Sequence, residues 1–342
     1  MSTPAAPSAQ IPSSAAMFQI LGGAFLAGAV SCLAQMGIPE LLASGPKDAK
    51  QLAAELGALP GPLYRLMRAT ASIGVLHQGT DGKFSQTPLS AILCADAKPS
   101  LKAFAIMGGR DWHGRGWSNL EHCVRTGRTA AEKMFGQPMF QWLASQPDEA
   151  AIFHQAMTEL SMITSPAIAQ AYDFSGIHSI VDIAGGHGFL LAAILERNPH
   201  VKGTLFEVDY VLEGAKGGPL KPHTHRCGFE SGDMFKNIPT GRDAYIMKHI
   251  IHDWPDQTCV DLLKACRCGV NPGGKLLVVD SVIHPGNNFE PGKFLDLQMM
   301  LFPSGRERTG SEFAEIFAAA GWKLSRVIDT KTDDSIVEGI PA

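Results

Sequence analysis

The chain has 342 residues, of which 45% are hydrophobic, 18% charged and 8% aromatic. This is the composition of a globular protein, and its length predicts about two domains with a core that needs no disulfide bonds. The net charge of −4 gives no support to a dedicated nucleic-acid-binding protein. The seven cysteines are scattered and contain no CxxC pair. Their arrangement argues against a disulfide framework or a zinc ribbon and favours a reducing, cytoplasmic location.

The N-terminal region is unusual because residues 1–39 carry no charged side chain. Residues 1–14 are rich in Ser, Pro and Ala, and we predict that they form a mobile tail. Residues 17–36 are apolar and long enough to span a bilayer. They are rich in Ala and Gly, however, and no Lys or Arg precedes them, as a signal peptide would require. We therefore predict a helix in a large apolar interface between two subunits, with no membrane association.

Residues 15–105 are predicted to be mainly helical, with one hairpin. Leucines and alanines recur at helical spacing over 48–59, Pro60 opens a second helix, and a turn signal at 80–82 lies within a two-stranded hairpin. This order of elements resembles a winged helix. Residues 1–105 contain only seven Lys or Arg against five Asp or Glu, and the second helix offers only Arg65 and Arg68 to phosphates. We interpret 15–105 as a winged-helix-like dimerisation domain; a DNA-binding regulator is the non-enzymatic alternative.

After residue 172, strands alternate with helices, as is typical of a parallel α/β sheet. The predicted strands lie at 179–184, 203–209, 225–230, 244–250, 275–281, 322–328 and 335–340. The predicted helices lie at 189–197, from 255 to about 270, at 291–302 and at 309–320. We therefore predict a parallel α/β sheet domain over 173–342, after a helical region over 106–172.

A glycine-rich turn, VDIAGGHG (181–188), follows the first strand of this sheet. It lacks the third glycine of the dinucleotide-binding fingerprint, because Leu191 stands there. It carries an acid, Asp182, on the strand itself. Glu207 ends the next strand, where a carboxylate can accept both ribose hydroxyls of an adenosine ligand. The alternatives are a purely structural glycine turn and an ordinary solvent-facing acid.

The segment DAYIMKHIIHDWPDQ (243–257) places four polar side chains at the C-terminal end of a predicted strand: Lys248, His249, His252 and Asp253. Ligands of open α/β sheets bind at this end of the strands. A metal site is one alternative, but no third ligand motif accompanies these side chains. A packing or helix-capping role is the alternative for His252, and a simple ion pair is the alternative for Lys248.

These motifs together resemble the S-adenosylmethionine-dependent O-methyltransferases of the plant caffeate and acetylserotonin type, which have bacterial and fungal relatives. VDIAGGHG stands where the family has VDVGGGTG, with departures at Ala184 and His187, and GTLFEVDYV (203–211) stands for FDLPxV. GDMF (232–235), HIIHDWPD (249–256) and GRERT (305–309) match closely, and FHQAM (153–157) resembles FNxxM. The resemblance runs from about residue 15 to the C-terminus. It implies an α/β fold: a Rossmann-like class I methyltransferase sheet over 173–342 after an N-terminal winged-helix-like dimerisation domain. It also implies that the helical region 106–172 is a substrate-pocket and linker region.

The resemblance implies S-adenosyl-L-methionine as methyl donor, S-adenosyl-L-homocysteine as product, and no metal. It implies cofactor contacts at Gly185, Glu207, Asp233, Met234, Lys248 and, on the linker helix, Ser161. It also implies His252 as general base, flanked by Asp280 and Glu307. For Glu307 the alternative is a surface ion pair with the neighbouring arginines. Four side chains suit a flat ring near a sulfonium, with core packing as their alternative: Phe153, Met157, Met299 and Met300.

Proton removal favours an aromatic acceptor. A phenol with a pKa of ~10 lies about 3.5 pKa units above an ordinary imidazole, a gap of about 4.8 kcal/mol that nearby carboxylates can narrow. An aliphatic hydroxyl would require about 12.5 kcal/mol. We therefore expect a homodimeric O-methyltransferase of aromatic hydroxyls. N- or C-methylation stays an alternative, as does a decarboxylating or hydroxylating relative, although the retained His252, Asp280 and Glu307 argue against the latter.

Overall fold

The computed structural model describes residues 12–342. The chain divides into two compact units, the first ending at Gly114 and the second beginning at Arg115. Most of the predicted tail, residues 1–14, lies outside the described residues, and Ser13 already begins the first helix.

The first unit is helical apart from one antiparallel hairpin, in which Leu76 pairs with Gln86. Asp48 caps the fourth helix by accepting the N–H groups of Lys50 and Gln51, and Pro60 begins the fifth. The predicted order of helix, helix and hairpin over 48–90 is therefore present. The elements are α1 (Ser13–Leu21), α2 (Gly23–Gln35), α3 (Ile38–Ala43), α4 (Ala49–Leu56), α5 (Pro60–Ser72), β1 (Leu76–Gln78), β2 (Phe84–Gln86), α6 (Pro88–Ala91) and α7 (Lys102–Gly108).

The core of the first unit excludes its first helix. Leu33, Leu52, Met67 and Phe84 are fully buried together, whereas α1 buries no residue. The stretch Ser13–Gln35 has 23 residues and a mean hydropathy of 1.8, which by length and composition alone would allow it to cross a membrane. Only 11% of its most apolar window is buried within the chain.

The second unit contains a seven-stranded sheet with helices on both faces. It follows α8 (Asp111–Ser118), which crosses the boundary between the units. Its helices are α9 (Leu120–Thr126), α10 (Ala130–Phe135), α11 (Met139–Ala144), α12 (Pro147–Ala171), α13 (Phe189–Arg197), α14 (Asp209–Ala215), α15 (Asp256–Gly269), α16 (Pro291–Leu301) and α17 (Gly310–Ala319), with 3₁₀ turns at Lys221–His223 and Ile251–Asp253. Its strands are β3 (Ser179–Ile183), β4 (Lys202–Glu207), β5 (Cys227–Ser231), β6 (Arg242–Lys248), β7 (Val270–Asp280), β8 (Trp322–Asp329) and β9 (Ser335–Pro341).

The strand order is β5-β4-β3-β6-β7-β9-β8, and β9 runs antiparallel to all the other strands. The chain moves from β3 outward through β4 to β5 and then returns to the other side of β3 with β6. The order therefore reverses between β3 and β6, and in open α/β sheets this is where ligands bind, beyond the carboxyl ends of the strands. The glycine turn and the segment 248–253 both begin at that edge.

Residues alternate between two buried layers along each central strand, as the period of a β-strand requires. Ile180, Ile246 and Leu277 pack against α12 and α13 on one face. Val181 and Tyr245 pack against α15 and α17 on the other face. Because both faces are covered, the strand backbones are rigidly held, and side chains at the strand ends have defined positions.

One strand begins earlier than the predicted position 275. Arg242 on β6 pairs with Val270, and the register then shifts so that Ala244 pairs with Lys275. This bulge absorbs the Asn-Pro-Gly-Gly sequence at 271–274, which lies between the predicted helix and the predicted strand.

Candidate active site

The glycine turn lies close to the end of β3 because most of its residues, with the exception of His187, have little or no side chain. Ala184, Gly186 and Gly188 have positive φ values of 52°, 59° and 79°. A Cβ at Gly185 would lie 2.7 Å from Leu205 Cδ1 and closer still to the carboxyl carbon of Asp182. The turn therefore exposes backbone groups to a ligand at the start of α13.

Glu207 ends β4 beside this turn. Its Oε2 accepts the N–H of Gly186 at 3.1 Å, and its Oε1 accepts the N–H of Val208 at 2.8 Å. Burial raises the pKa of Glu207, although both hydrogen bonds act against this. Each carboxylate oxygen keeps a lone pair that can accept a further donor. The geometry suits an adenosine ribose, as the sequence predicts.

Asp182 is a buried acid near the backbone N–H of Leu191, which lowers its pKa only slightly. It is 1% exposed, and neither carboxylate oxygen has a hydrogen-bond partner among residues 12–342. Burial, with the charge of Glu207, raises its pKa to about 7. Buried polar atoms without partners are rare in native proteins and indicate a missing donor. A cationic or hydroxyl-bearing ligand at the glycine turn would supply one, and S-adenosylmethionine has both kinds of group.

Asp233 and Met234 follow β5 at the same edge of the sheet. Asp233 accepts the N–H of Phe235 at 3.0 Å and forms an ion pair with Lys236 at 3.1 Å. These interactions lower its pKa, and its side chain stays 43% exposed. Met234 packs against the hydrophobic layer of the sheet. One polar and one apolar side chain at this position suit the edge and the face of an adenine ring.

The linker helix α12 contacts the glycine turn through His187, one of the two departures from the family motif. Thr158 Oγ1 lies 3.0 Å from Nδ1 of His187. Ser161 is three residues further along α12 and therefore lies on the same side of the helix. The predicted contact at Ser161 is thus on a helix face that is anchored to the turn.

His252 lies in the 3₁₀ turn Ile251–Asp253 that follows β6, and it is 6% exposed. Its Nδ1 lies 2.6 Å from Oε1 of Glu307, whereas its Nε2 lies 3.6 Å from Oδ1 of Asp253. Because Glu307 accepts the proton on Nδ1, Nε2 is the nitrogen left to exchange a proton with another molecule.

The acids around His252 raise its pKa by more than burial lowers it. Burial alone lowers the pKa of this imidazole, but Asp253, the hydrogen bond to Glu307 and the charge of Asp280 raise it to about 10. Asp280 ends β7, is fully buried, and has no hydrogen-bond partner for either oxygen among the described residues. Its burial raises the pKa of its carboxyl, and the charge of His252 lowers it. The two predicted acids therefore both act on His252.

The surface ion pair considered for Glu307 is wrong, because Glu307 is only 2% exposed. Its neighbour Arg308 is fully buried and donates to the carbonyls of Ile251 at 2.9 Å and Trp254 at 3.1 Å. It also donates to Asp256 at 2.8 Å. Arg308 thus holds the backbone on both sides of His252, a role that no sequence motif indicates because only the fold brings the two segments together.

A second residue that the sequence does not indicate is Asp334, in the turn between β8 and β9. Its Oδ1 lies 2.7 Å from Nε2 of His249. The ring of His249 in turn stacks on that of His252, with centroids 5.0 Å apart. No local motif marks Asp334, since it lies 85 residues from its partner.

The residues predicted to line the acceptor pocket lie on two helices that connect to this site. On α12, the ring of Phe153 packs edge-on against Phe140 at 6.4 Å, and Phe140 lies 6.2 Å from Trp254. On α16, Asp296 accepts the N–H of Glu307 at 2.9 Å. The remaining predicted residues follow on these helices: Met157 on α12, and Met299 and Met300 on α16.

Met299 and Met300 are three and four residues after Asp296, so they share its helix face. Met299 is buried, and Met300 and Met157 are half-buried. Among residues 12–342, no group of three His, Cys, Asp or Glu side chains is placed to hold a metal ion.

Comparison with known proteins identifies both parts of the chain. Residues 18–96 match the model of the O-methyltransferase dimerisation domain, and residues 117–323 match that of the O-methyltransferase domain. The phenazine O-methyltransferase PhzM of Lysobacter antibioticus is 37% identical over 97% of each chain. The mitomycin biosynthesis 6-O-methyltransferase of Streptomyces lavendulae is 37% identical over 90% of this chain and 88% of its own.

Solved structures of related methyltransferases have the same fold as this chain. The crystal structure of LaPhzM superposes with a TM-score of 0.92 at 37% identity, covering 97% of this chain and 100% of the other. The O-methyltransferase NcsB1 from neocarzinostatin biosynthesis, solved with S-adenosylmethionine and 2-hydroxy-5-methyl naphthoic acid, has a TM-score of 0.80 at 26% identity, covering 98% and 100%. The chain belongs to the family of S-adenosylmethionine-dependent O-methyltransferases that combine an N-terminal dimerisation domain with a Rossmann-like catalytic domain.

Proposed function

We propose that this O-methyltransferase acts on a phenolic hydroxyl of an aromatic small molecule, with His252 as general base. The observation that carries the proposal is the hydrogen bond of 2.6 Å between Nδ1 of His252 and the buried Glu307. It orients the ring so that Nε2 can receive the acceptor proton. S-Adenosylmethionine supplies an electrophilic methyl group on a sulfonium and becomes S-adenosylhomocysteine.

The acids around His252 match its basicity to a phenol. A pKa of about 10 for His252 equals the ~10 of a phenol, so the gap expected from the ordinary values closes. An aliphatic hydroxyl, taken like water at ~15.7, would still cost about 8 kcal/mol. Asp280 and Glu307 stabilise the imidazolium that proton transfer forms. An aromatic amine would need no prior proton removal, and product analysis would identify N-methylation.

Six residues are proposed to bind the cofactor. The free lone pairs of Glu207 suit the two ribose hydroxyls, and Asp233 and Met234 suit the adenine. Gly185 and Ser161 lie at the end of the site that would hold the methionine part. Lys248 ends β6 between Asp182 and Asp334, whose charges act on it. In this position its positive charge would stabilise the carboxylates where the strand order reverses between β3 and β6.

The acceptor pocket is proposed to include Phe153, Met157, Met299 and Met300. Aromatic and thioether side chains bind flat rings through dispersion and tolerate a nearby cation. The names of the phenazine and mitomycin enzymes, and the naphthoic acid bound to NcsB1, support an aromatic acceptor. His252 is 6% exposed, so the acceptor would meet it in a site from which most water is excluded.

The protein is proposed to act as a cytoplasmic homodimer. Several large apolar side chains of α1 and α2 are not covered by residues 12–342. They include Phe18, Ile20 and Phe25, which are 75%, 72% and 79% exposed. Such a patch requires a partner, and it lies at the start of the segment that matches the dimerisation domain. All seven cysteines are free, which suits a reducing compartment. With an overall charge of −4, we expect neither nucleic-acid nor membrane binding.

The decisive experiment replaces His252 by Ala. We expect turnover to be lost while the affinity for S-adenosylmethionine, measured by calorimetry, stays within about threefold, because Ala removes only the proton acceptor. His178→Ala, an exposed histidine at the opposite end of β3, is the matched control and should keep full activity. Wild-type turnover in the His252→Ala enzyme would show that another group accepts the proton.

A further inference from the structure

A second imidazole, His249, lies against the proposed general base. The ring centroids of His249 and His252 are 5.0 Å apart, and their planes differ by 18°, which is a stacked arrangement. His249 follows directly on Lys248, the last residue of β6. None of the roles proposed above for methyl transfer uses His249, so its placement needs another explanation.

The backbone of His249 is held in an uncommon conformation. Its φ is +55°, a region that few residues other than Gly adopt, although Asn, Asp and His do so more often than the rest. Its N–H nevertheless donates to the carbonyl of Val279 at 2.9 Å, so the residue still belongs to the ladder between β6 and β7. The left-handed conformation turns the histidine side chain towards His252. Uncommon backbone conformations of this kind cluster at functional sites.

Asp334 anchors the ring from the other side. It is 4% exposed, and its Oδ1 lies 2.7 Å from Nε2 of His249. Burial by itself raises the pKa of Asp334, but the charges of His249, Lys248 and His252 and the hydrogen bond from His249 lower it to about 2. The ionised carboxylate therefore accepts the proton on Nε2. Nδ1 is left to accept from Lys248, whose Nζ is 3.4 Å away.

Asp334 is itself fixed within its turn. Its carbonyl accepts the hydroxyl proton of Thr330, and its N–H donates to Thr332 at 3.1 Å. The carboxylate, the ring of His249 and the ring of His252 thus form a continuous series from a rigid turn to the proposed base. Flexible side chains on a surface would not form such a series.

We propose that His249, anchored by Asp334, is a positioning residue for the general base. Its ring face keeps His252 in the plane in which Nδ1 meets Glu307 and Nε2 faces the acceptor. The inference rests on the proposed role of His252. Burial and the charge of Lys248 lower the pKa of His249, although the carboxylate of Asp334 acts against this.

The charged groups that face His252 come from four elements. They are Asp253 in its own turn, Asp280 on β7, Glu307 in the segment before α17, and Asp334 after β8. Lys248 at the end of β6 opposes them through His249. Removing the charge of Asp334 should therefore make the His252 imidazolium less stable and lower the pH at which the base becomes neutral.

Two substitutions test the ring of His249 and the charge of Asp334 separately. His249→Asn keeps a residue that tolerates positive φ but removes the stacked ring, so kcat should fall roughly tenfold or more as the base loses its orientation. The KM for S-adenosylmethionine should stay within about twofold. Asp334→Asn keeps the ring and removes the charge, so the acidic limb of the kcat/KM profile should move to lower pH by about half a unit or more. His178→Phe controls for the loss of a histidine near another histidine ring.

A wild-type kcat and an unchanged pH profile in His249→Asn, with only a lower melting temperature, would overturn the proposal and leave His249 a structural anchor. Should that variant not fold, a wild-type kcat in Asp334→Asn, in which the ring of His249 loses its charged anchor, would overturn it instead. His252→Ala is measured in the same series. Activity in His252→Ala refutes the proposed function, whereas an inactive His252→Ala beside an unaffected His249→Asn refutes only this inference.

Discussion

Replacing Glu307 by Gln tests how the protein makes an imidazole basic enough for a phenol. Glu307 is 2% exposed and lies 2.6 Å from Nδ1 of His252. Gln fills the same volume and can still accept the hydrogen bond, but it carries no charge. The substitution therefore removes one of the acids that raise the pKa of His252 to about 10.

The expected magnitude follows from the mismatch in pKa. If the pKa of His252 falls by about 2 units, proton transfer from a phenol to the neutral imidazole becomes about 2.7 kcal/mol uphill. On the plateau above the acidic limb, where the imidazole is neutral in both enzymes, kcat therefore falls up to about 100-fold. The acidic limb of the kcat/KM profile moves to lower pH, since a less basic imidazole becomes neutral sooner. Well below the pKa of His252, kcat/KM of the wild-type enzyme should rise about tenfold for each pH unit, because the neutral fraction of the imidazole rises by that factor.

The assay is turnover of a series of acceptor phenols with decreasing pKa, at saturating S-adenosylmethionine. The loss in Glu307→Gln should shrink as the acceptor becomes more acidic, because less proton affinity is then required of His252. Glu312→Gln is the matched control, since Glu312 lies in the first turn of α17, where it completes the helix cap and pairs with Arg306. A loss that is equal for all acceptors would refute the reasoning and indicate a distorted site.

Three further predictions concern the cofactor and the dimer. Glu207→Gln should raise the dissociation constant for S-adenosylmethionine by about tenfold in calorimetry, because a charged acceptor is lost; unchanged affinity would place the ribose elsewhere. Gly185→Ala should lower the stability to urea by about 1–3 kcal/mol, because the new methyl group collides with Asp182 and Leu205. Phe18→Asp combined with Phe25→Asp should halve the mass seen by sedimentation without unfolding the chain, since both rings are exposed; a mass that does not change would refute the assigned interface.

The features of the site that lie within one segment could be predicted from the sequence. The glycine turn, Glu207 and the cluster after β6 follow strands whose apolar runs are clear, and strand ends of one sheet share an edge. Glu307 is harder to interpret, because a carboxylate between two arginines has the composition of a surface segment. Its burial results from Arg308, whose side chain crosses to the carbonyls of Ile251 and Trp254.

Asp334 could not be predicted because its position depends on the strand order. The sequence predicts the last two strands, but no pattern shows that β9 lies between β7 and β8. In this order Asp280 on β7 pairs with Ser335 on β9, while the N–H of His249 bonds to Val279. Asp334 therefore reaches His249 across the end of β7, a contact that arises only when the sheet is complete.

At the carboxyl edge of the sheet, acidic side chains outnumber basic ones, and the ligands of the site explain why. Asp182 and Asp280 are buried and have no partners among the described residues, and burial raises the pKa of each. Such acids destabilise the free protein unless they are protonated or meet a cation. The sulfonium of the methyl donor and the imidazolium of His252 are the cations that the reaction brings there. Asp182 lies beside the glycine turn proposed to hold the donor, whereas Asp280 is one of the acids that raise the pKa of His252. The two buried acids therefore serve neighbouring but separate parts of the site, one for each cation.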